Sequence, residues 1–120
     1  MIAHQRPYLL WLEDIRDAAE RIAGWTGGMD FEAFVASEPV RDAVLLRFLV
    51  MGEAARNLDI HFTGDERHVT LPLGSMRMMR NRLIHGYWDV DARILWEAAR
   101  QDAPDVLARV RPLIAAEVGR

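Results

Sequence analysis

The sequence predicts an all-α, four-helix-bundle-like fold with an additional short helix, in a single domain over residues 1–120. Apolar residues recur at steps of three and four in several long stretches, and this period is typical of amphipathic helices. Residues that favour helix N-termini precede most of these stretches. A chain of 120 residues with 51% apolar side chains is also suited to one domain with a single core.

The first half of the chain predicts two long helices separated by a short one. The first helix should end at the glycine-rich sequence GWTGGMD, and its apolar face comprises Tyr8, Trp11, Ile15, Ala18, Ile22 and Trp25. Asp30 can cap the short helix, and Ser37 marks the start of a longer helix over about residues 39–60. The longer helix should be central, or should face a second subunit as well as its own core, because it has two apolar stripes: Val44, Phe48, Met51, Ala55 and Leu58, and Leu45, Leu49 and Gly52.

Residues 60–75 predict one long loop, because glycine, proline, threonine and aspartate occur there without a sustained apolar period. The next helix should begin near Ser75 and end at Gly86. Its apolar stripe comprises Met76, Met79 and Leu83.

The last quarter of the chain predicts two further helices. Asp89 or Asp91 can cap the first of them, over residues 92–101. Asp102 with Pro104 marks the start of the last helix, and Pro112 should kink it.

The composition excludes several classes of protein and site. With no cysteine, the chain has no disulfide, thiol nucleophile or thiolate metal site. No apolar run approaches the roughly 20 residues that span a membrane. The apolar block at residues 8–12 is too short for the core of a secretory signal. We therefore expect a cytoplasmic protein that does not enter the membrane.

Positive charge is concentrated in one segment of an acidic chain. Residues 67–88 contain four arginines, two histidines and no acidic residue, whereas the other 98 residues contain 11 arginines and 18 acidic residues. A basic segment on an acidic protein can direct a polyanion to one place. Equally, this segment can be a solvated helix face whose arginines pair with acids of neighbouring helices.

The sequence MRNRLIHGYW, residues 79–88, groups side chains suited to phosphodiester chemistry. Arg80 has a planar fork that matches phosphate, Asn81 can hydrogen-bond, and His85 can transfer protons near neutral pH. On a regular helix, however, Arg80 and His85 lie about 140° apart. Either the helix unwinds near Gly86, or a second subunit brings another Arg80 and His85 to a shared cleft.

RNRLIHGY resembles the signature of the HEPN superfamily, the higher eukaryote and prokaryote nucleotide-binding domains, in which four to six residues separate an arginine and a histidine. Asn81 and Tyr87 are more narrowly similar to HepT-like toxins. The sequences RDAVLLRFLVMGEAARNL and DVDARILWEAARQDAP also resemble this family. The family's usual Pro-Trp pair before the signature is absent here, since Leu73 follows Pro72.

The resemblance implies a dimeric, metal-independent ribonuclease that is the toxin of a toxin-antitoxin pair. His85 would be the general acid or base, and Arg80 would stabilise the charge on the reacting phosphate. Asn81 would orient His85 or the phosphate. Arg77 and Arg82 are further candidates for binding RNA. No metal or cofactor is expected in the chain itself.

The resemblance also implies a protein partner, a minimal nucleotidyltransferase that acts as the antitoxin. In this family such a partner uses ATP to adenylylate the tyrosine two residues after the histidine, which is Tyr87 here. A bulky, negatively charged nucleotide at this position would block the cleft and repel RNA. A rival hypothesis is a non-catalytic helical dimer that binds nucleotide or is a scaffold for the nucleotidyltransferase. In a third hypothesis the segment is only a substrate of the modifying enzyme.

Three other features permit a functional and a structural interpretation. Glu53 can pair with Arg80 and orient it, or form a plain salt bridge with Arg56. His61 and His68 permit a metal site but lack the close spacing typical of one. The tryptophans Trp88 and Trp96 could stack on bases, but at a helix boundary they more often belong to a core.

Overall fold

The computed structural model describes residues 6–120, so residues 1–5 of the predicted domain lie outside the described residues. Residues 6–120 contain no strand, which confirms the all-α prediction. The α-helices are α1 (Tyr8–Thr26), α2 (Phe31–Ala36), α3 (Glu38–His61), α4 (Leu73–Gly86), α5 (Ala92–Glu97) and α6 (Ala103–Val118). Two 3-10 turns comprise Glu66–His68 and Tyr87–Asp89, and a π-helical segment comprises Ala98–Asp102. Within this part of the chain, no helix is both long and apolar enough to cross a lipid bilayer.

Three of the predicted N-caps are present. Oδ1 of Asp30 accepts a hydrogen bond from the backbone N–H of Ala33 at 2.8 Å. Oγ of Ser37 accepts one from Val40 at 3.3 Å. Of the two candidates for capping α5, Asp91 does so, since its Oδ1 accepts from Ile94 at 3.0 Å. These caps satisfy N–H groups that the first turn of a helix would otherwise leave without a partner.

The core lies where α1 packs against α3 and α6, and α4 packs against α3. The first apolar stripe of α3 is buried along its whole length, as predicted, and so is Gly52. Leu45 and Leu49 of the second stripe are half-buried. The predicted face of α1 is buried except at its two tryptophans, because Trp11 is half-buried and Trp25 is exposed. Helix α4 packs mainly against α3, and most of its residues are exposed or half-buried, so α4 is an edge helix.

The predicted break between the last two helices was wrong. The chain continues from α5 through the π-helical segment into α6, and the Asp102 side chain makes no capping hydrogen bond. Small buried residues in this stretch, Ala98, Ala99 and Ala103, allow it to lie close against the rest of the core. In the widened turn before Pro104, the N–H of Ala103 donates to the carbonyl of Ala98. The widening lets the chain pass a proline without ending the helix.

The loop between α3 and α4 is shorter and more ordered than predicted. Helix α4 begins at Leu73 rather than near Ser75. A single arginine then fixes the middle of the loop, because the Arg67 guanidinium donates to both carboxylate oxygens of Asp65 and, at 3.1 Å, to Oε1 of Glu117 in α6. The Arg67 guanidinium carbon also lies 3.8 Å from the ring centroid of Tyr8 in α1. These contacts hold the approach to α4 against α1 and α6.

His68 is buried in the same loop, and its Nδ1 lies 2.8 Å from the Tyr8 hydroxyl. Burial lowers the pKa of His68 and raises the pKa of Tyr8 to about 12. Both groups are therefore neutral at neutral pH. Hydrogen bonds from Arg67 lower the pKa of Asp65 to about 2, so this carboxylate stays charged in moderate acid.

We expect the free energy of unfolding to fall as the pH drops below about 6.5, because the unfolded chain then binds a proton at His68 more readily than the folded chain does. Urea unfolding between about pH 8 and pH 5 measures this slope. His68→Gln should flatten it, whereas an unchanged slope would contradict the assignment. The contribution of Asp65 is lost at lower pH, between about 4 and 2, and so does not interfere.

Candidate active site

Arg80 is held at the contact between α3 and α4. Its Nε donates to Oε2 of Glu53 at 2.8 Å, and its Nη1 donates to Oδ1 of Asn81 at 2.9 Å. The Arg80 side chain is 21% exposed. Because two acceptors fix the plane of the guanidinium and part of it stays open to solvent, Arg80 is oriented yet accessible to an anion.

Gly52 brings α4 close enough for this contact. A Cβ atom at position 52 would lie 2.7 Å from the carbonyl oxygen of Met76 and would overlap the Cβ of Arg80. Only a residue without a side chain allows this approach of the two backbones. Glu53 follows in sequence, so one short segment of α3 provides both the space and the carboxylate for Arg80.

Glu53 forms both of the contacts that the sequence left open. It accepts the hydrogen bond from Arg80, and its Oε1 lies 3.7 Å from Nη1 of Arg56. The Arg80 contact is the shorter and is a directed hydrogen bond. Asn57, one turn further along α3, adds a contact that sequence reasoning missed: its Nδ2 donates to the carbonyl of Glu53 at 2.8 Å and to Oε1 at 3.2 Å. The one available signal was that Asn57 follows Glu53 by four residues.

His85 does not meet Arg80 within one chain. Both residues belong to α4, which remains α-helical until Gly86. The two side chains therefore leave the helix about 140° apart. His85 is exposed, and no side chain among residues 6–120 forms a hydrogen bond with it. Unwinding near Gly86 occurs after His85 and thus does not bring the pair together.

The remaining basic candidates differ in their surroundings. Arg77 pairs with Asp59 of α3. Arg82 is exposed and forms no ion pair within the described part of the chain. In the acid-free segment 67–88, three arginines thus form ion pairs with acidic residues of other segments, as the solvated-face interpretation predicts. Arg82 and His85 remain as the exposed basic groups of α4.

Tyr87 and Trp88 lie in the 3-10 turn that follows α4, and both are exposed. The interpretation of Trp88 as a core residue was therefore wrong. Trp96 does pack inside, since its ring centroid lies 5.3 Å from that of Phe34 and 6.3 Å from that of Phe31. Among residues 6–120, no group of three or more histidine, cysteine, aspartate or glutamate side chains is placed to hold a metal ion.

A sequence profile described as Ribonuclease HepT-like matches residues 15–113, which include Glu53, Arg80, His85 and Tyr87. The chain belongs to the ribonuclease HepT-like family. This result confirms the resemblance to the HepT-like branch of the HEPN superfamily. The paired Arg80 and the exposed His85 of this HepT-like chain both lie within the matched residues.

Curated relatives match the HepT-like chain over most of its length. A protein of Thermococcus cleftensis named as a probable ribonuclease HepT is 33% identical over 109 residues, which are 91% of this chain and 97% of that protein. A protein of Caldanaerobacter subterraneus named as a candidate RNase is 34% identical over 113 residues, 93% of this chain and 96% of that protein. No solved structure matches the chain significantly.

Proposed function

We propose that the chain is a metal-independent RNA endonuclease. The observation that carries this proposal is the orientation of Arg80 by Glu53 and Asn81, on the same helix as the exposed His85. The names of the relatives support it, because they describe ribonucleases. An oriented guanidinium and an exposed imidazole suit cleavage in which the RNA itself provides the nucleophile, because they supply charge stabilisation and a group that transfers protons.

In the proposed reaction, the ribose 2′-oxygen loses its proton and attacks the adjacent phosphorus. The bond from phosphorus to the 5′-oxygen breaks, and that oxygen gains a proton. His85 transfers a proton at one of these two oxygens and water transfers one at the other, so no net proton is consumed, while Arg80 stabilises the negative charge on the phosphorane. Asn81 orients Arg80, and the exposed Arg82 binds RNA phosphate. The product would be a 2′,3′-cyclic phosphate.

The proposed site is completed by a homodimer. Arg80 and His85 diverge within one chain, so a second copy has to bring its own pair to a shared cleft. Exposed apolar side chains on α3 and α4 support this arrangement, because Leu46 of α3 and Met78 and Ile84 of α4 are large, apolar and exposed. An interface between copies would remove their apolar surface from water.

We further propose that the nuclease is the toxin of a type VII, HepT/MntA-like toxin-antitoxin pair. Its partner would be a minimal nucleotidyltransferase that uses ATP to adenylylate Tyr87. The exposure of Tyr87 next to the end of α4 supports access by such an enzyme. A transferred nucleotide would add negative charge beside His85 and would repel the phosphates of RNA.

Incubation of unmodified protein and of His85→Ala with mixed RNA in excess EDTA tests the nuclease proposal. Mass spectrometry first establishes that Tyr87 carries no nucleotide. Cleavage by the parent alone, with cyclic phosphate ends, is the expected result. RNA binding without cleavage by either protein would overturn the proposal and favour the non-catalytic dimer. Incubation with ATP and the purified nucleotidyltransferase then tests modification, which Tyr87→Phe should prevent.

Glu53→Gln should lower the cleavage rate by about 10-fold to 100-fold, because it removes the charge that orients Arg80 while keeping the shape of the side chain. Asp59→Asn is the matched control, since Asp59 also joins α3 to an arginine of α4 but contacts Arg77 rather than Arg80. Initial rates on one RNA measure both variants. Equal losses in the two would show that any pair between these helices has the same effect, contrary to this prediction.

A further inference from the structure

Trp88 is far more exposed than the packed tryptophans of the chain. Trp88 is 74% exposed and Tyr87 is 60% exposed, whereas Trp11 and Trp96 are half-buried. The Tyr87 and Trp88 rings meet edge to face, with centroids 5.4 Å apart and an angle of 82° between their planes. This contact covers only part of the two rings, so a flat aromatic surface of the pair stays exposed to water.

No other ring or guanidinium among residues 6–120 covers the Trp88 indole. The half-buried tryptophans differ in this respect, since Arg6 lies 4.3 Å from the Trp11 ring centroid and Arg100 lies 5.2 Å from that of Trp96. The adjoining Tyr87 and Trp88 rings together expose a contiguous aromatic surface, and such surfaces are typical of binding sites. The Trp88 surface therefore has room for a planar ligand.

The charges beside Trp88 favour an anionic ligand along α4. His85 lies three residues before Trp88, and Arg82 precedes His85 by three, so both exposed basic groups belong to the last two turns of α4, just before the 3-10 turn that contains Trp88. The exposed Asp89 follows Trp88 and would repel phosphate on that side. A ligand with a planar group over the indole and phosphates directed back along α4 fits this pattern.

We propose that Trp88 is a stacking site for one unpaired base of single-stranded RNA, beside the candidate active site. The inference rests on the proposed function, because it names how the same surface holds the RNA. Aromatic stacking accepts any base, since every base has a π-face. Trp88 thus contributes affinity with little sequence preference and holds the strand next to His85. Loss of one such stack weakens binding by about 5-fold to 100-fold.

Binding is best measured in a His85→Ala background, where RNA is not expected to be cut. Fluorescence anisotropy would compare Trp88→Ala and Trp88→Phe, each on a labelled oligouridylate and on an abasic oligonucleotide of the same length. Trp25→Ala is the control, because Trp25 is an exposed tryptophan on α1, outside the acid-free segment. Light scattering would report the oligomeric state of each variant without RNA.

The stacking site predicts that Trp88→Ala weakens oligouridylate binding by about 5-fold to 100-fold, while Trp88→Phe and Trp25→Ala change it little. It also predicts that Trp88→Ala leaves abasic binding unchanged. Equal oligouridylate affinity in all variants would overturn the stacking site, and so would conversion of a dimer to a monomer by Trp88→Ala. Either result would leave the nuclease proposal standing. No RNA binding by folded protein, together with no cleavage by the parent, would overturn both.

Discussion

Mixing Arg80→Ala and His85→Ala proteins should restore RNA cleavage that neither variant has alone. Each substitution should slow cleavage by about 10²-fold to 10⁴-fold, since in the proposed reaction Arg80 stabilises the charge on the phosphorane and His85 transfers a proton. At equal concentrations, half of the dimers are mixed and each has one intact site, so activity should recover to about a quarter of that of the parent.

The reason lies in the regularity of α4. Because the helix does not unwind before Gly86, Arg80 and His85 of one copy cannot reach the same phosphate. A two-fold dimer can instead bring Arg80 of one copy to His85 of the other. The mixed dimer retains one such combination, whereas each homodimer of variants retains none.

The control replaces one component with the double variant Arg80→Ala and His85→Ala, which can supply neither group to a mixed dimer. Mixtures that contain the double variant should stay inactive. Differently tagged copies that co-purify would establish that mixed dimers form. If co-purified mixed dimers remain inactive, the shared site is wrong and each chain must contain its own complete site.

Gly52→Ala should lower the free energy of unfolding by about 1–3 kcal/mol, although alanine is the better helix former. The added methyl group meets the Met76 carbonyl and the Arg80 Cβ, so α4 has to move away from α3. The movement separates Arg80 from Glu53, and RNA cleavage should fall as well. Urea unfolding followed by circular dichroism measures the loss of stability.

Gly24→Ala is the matched control for this prediction. Gly24 lies within α1, and a Cβ there would meet nothing within 4 Å. The same chemical change should therefore raise the free energy of unfolding by about 0.5–1 kcal/mol through backbone entropy alone. A lower free energy of unfolding for Gly52→Ala and a higher one for Gly24→Ala would show that the loss at position 52 comes from the contact between α3 and α4. A stabilised Gly52→Ala protein would contradict the close approach of α3 and α4.

Local signals in the sequence predicted much of the fold. Caps such as Asp30 and Asp91 are recognisable because the interaction joins residues only three apart. The continuous helix through Pro104 was not predictable in this way, because packing of small residues in the core overrides the start signal of Asp102 and Pro104. Local chemistry fixes where a helix can begin, and tertiary contact decides whether it does.

The candidate site likewise has features that local sequence predicts and features that depend on tertiary contacts. The nature of Arg80 and His85, their separation and their divergence on a helix were all accessible from the sequence. The pairing of Glu53 with Arg80 was not predictable from the sequence. Arg56 was an equally good partner for Glu53 until the structure placed α4 beside α3. The exposure of Trp88 was also inaccessible, because an aromatic residue at a helix boundary is as consistent with a core as with a surface.

The anchored loop between α3 and α4 also bears on how two copies can assemble. Exchange of α4 between copies, as in domain swapping, would require this loop to open as a hinge. Opening would break the contacts of Arg67 with Tyr8 and Glu117 and expose the buried His68 in both chains. Copies that instead associate as fully folded chains can dissociate and recombine without unfolding. Subunits of two different variants should therefore exchange in native buffer without denaturant.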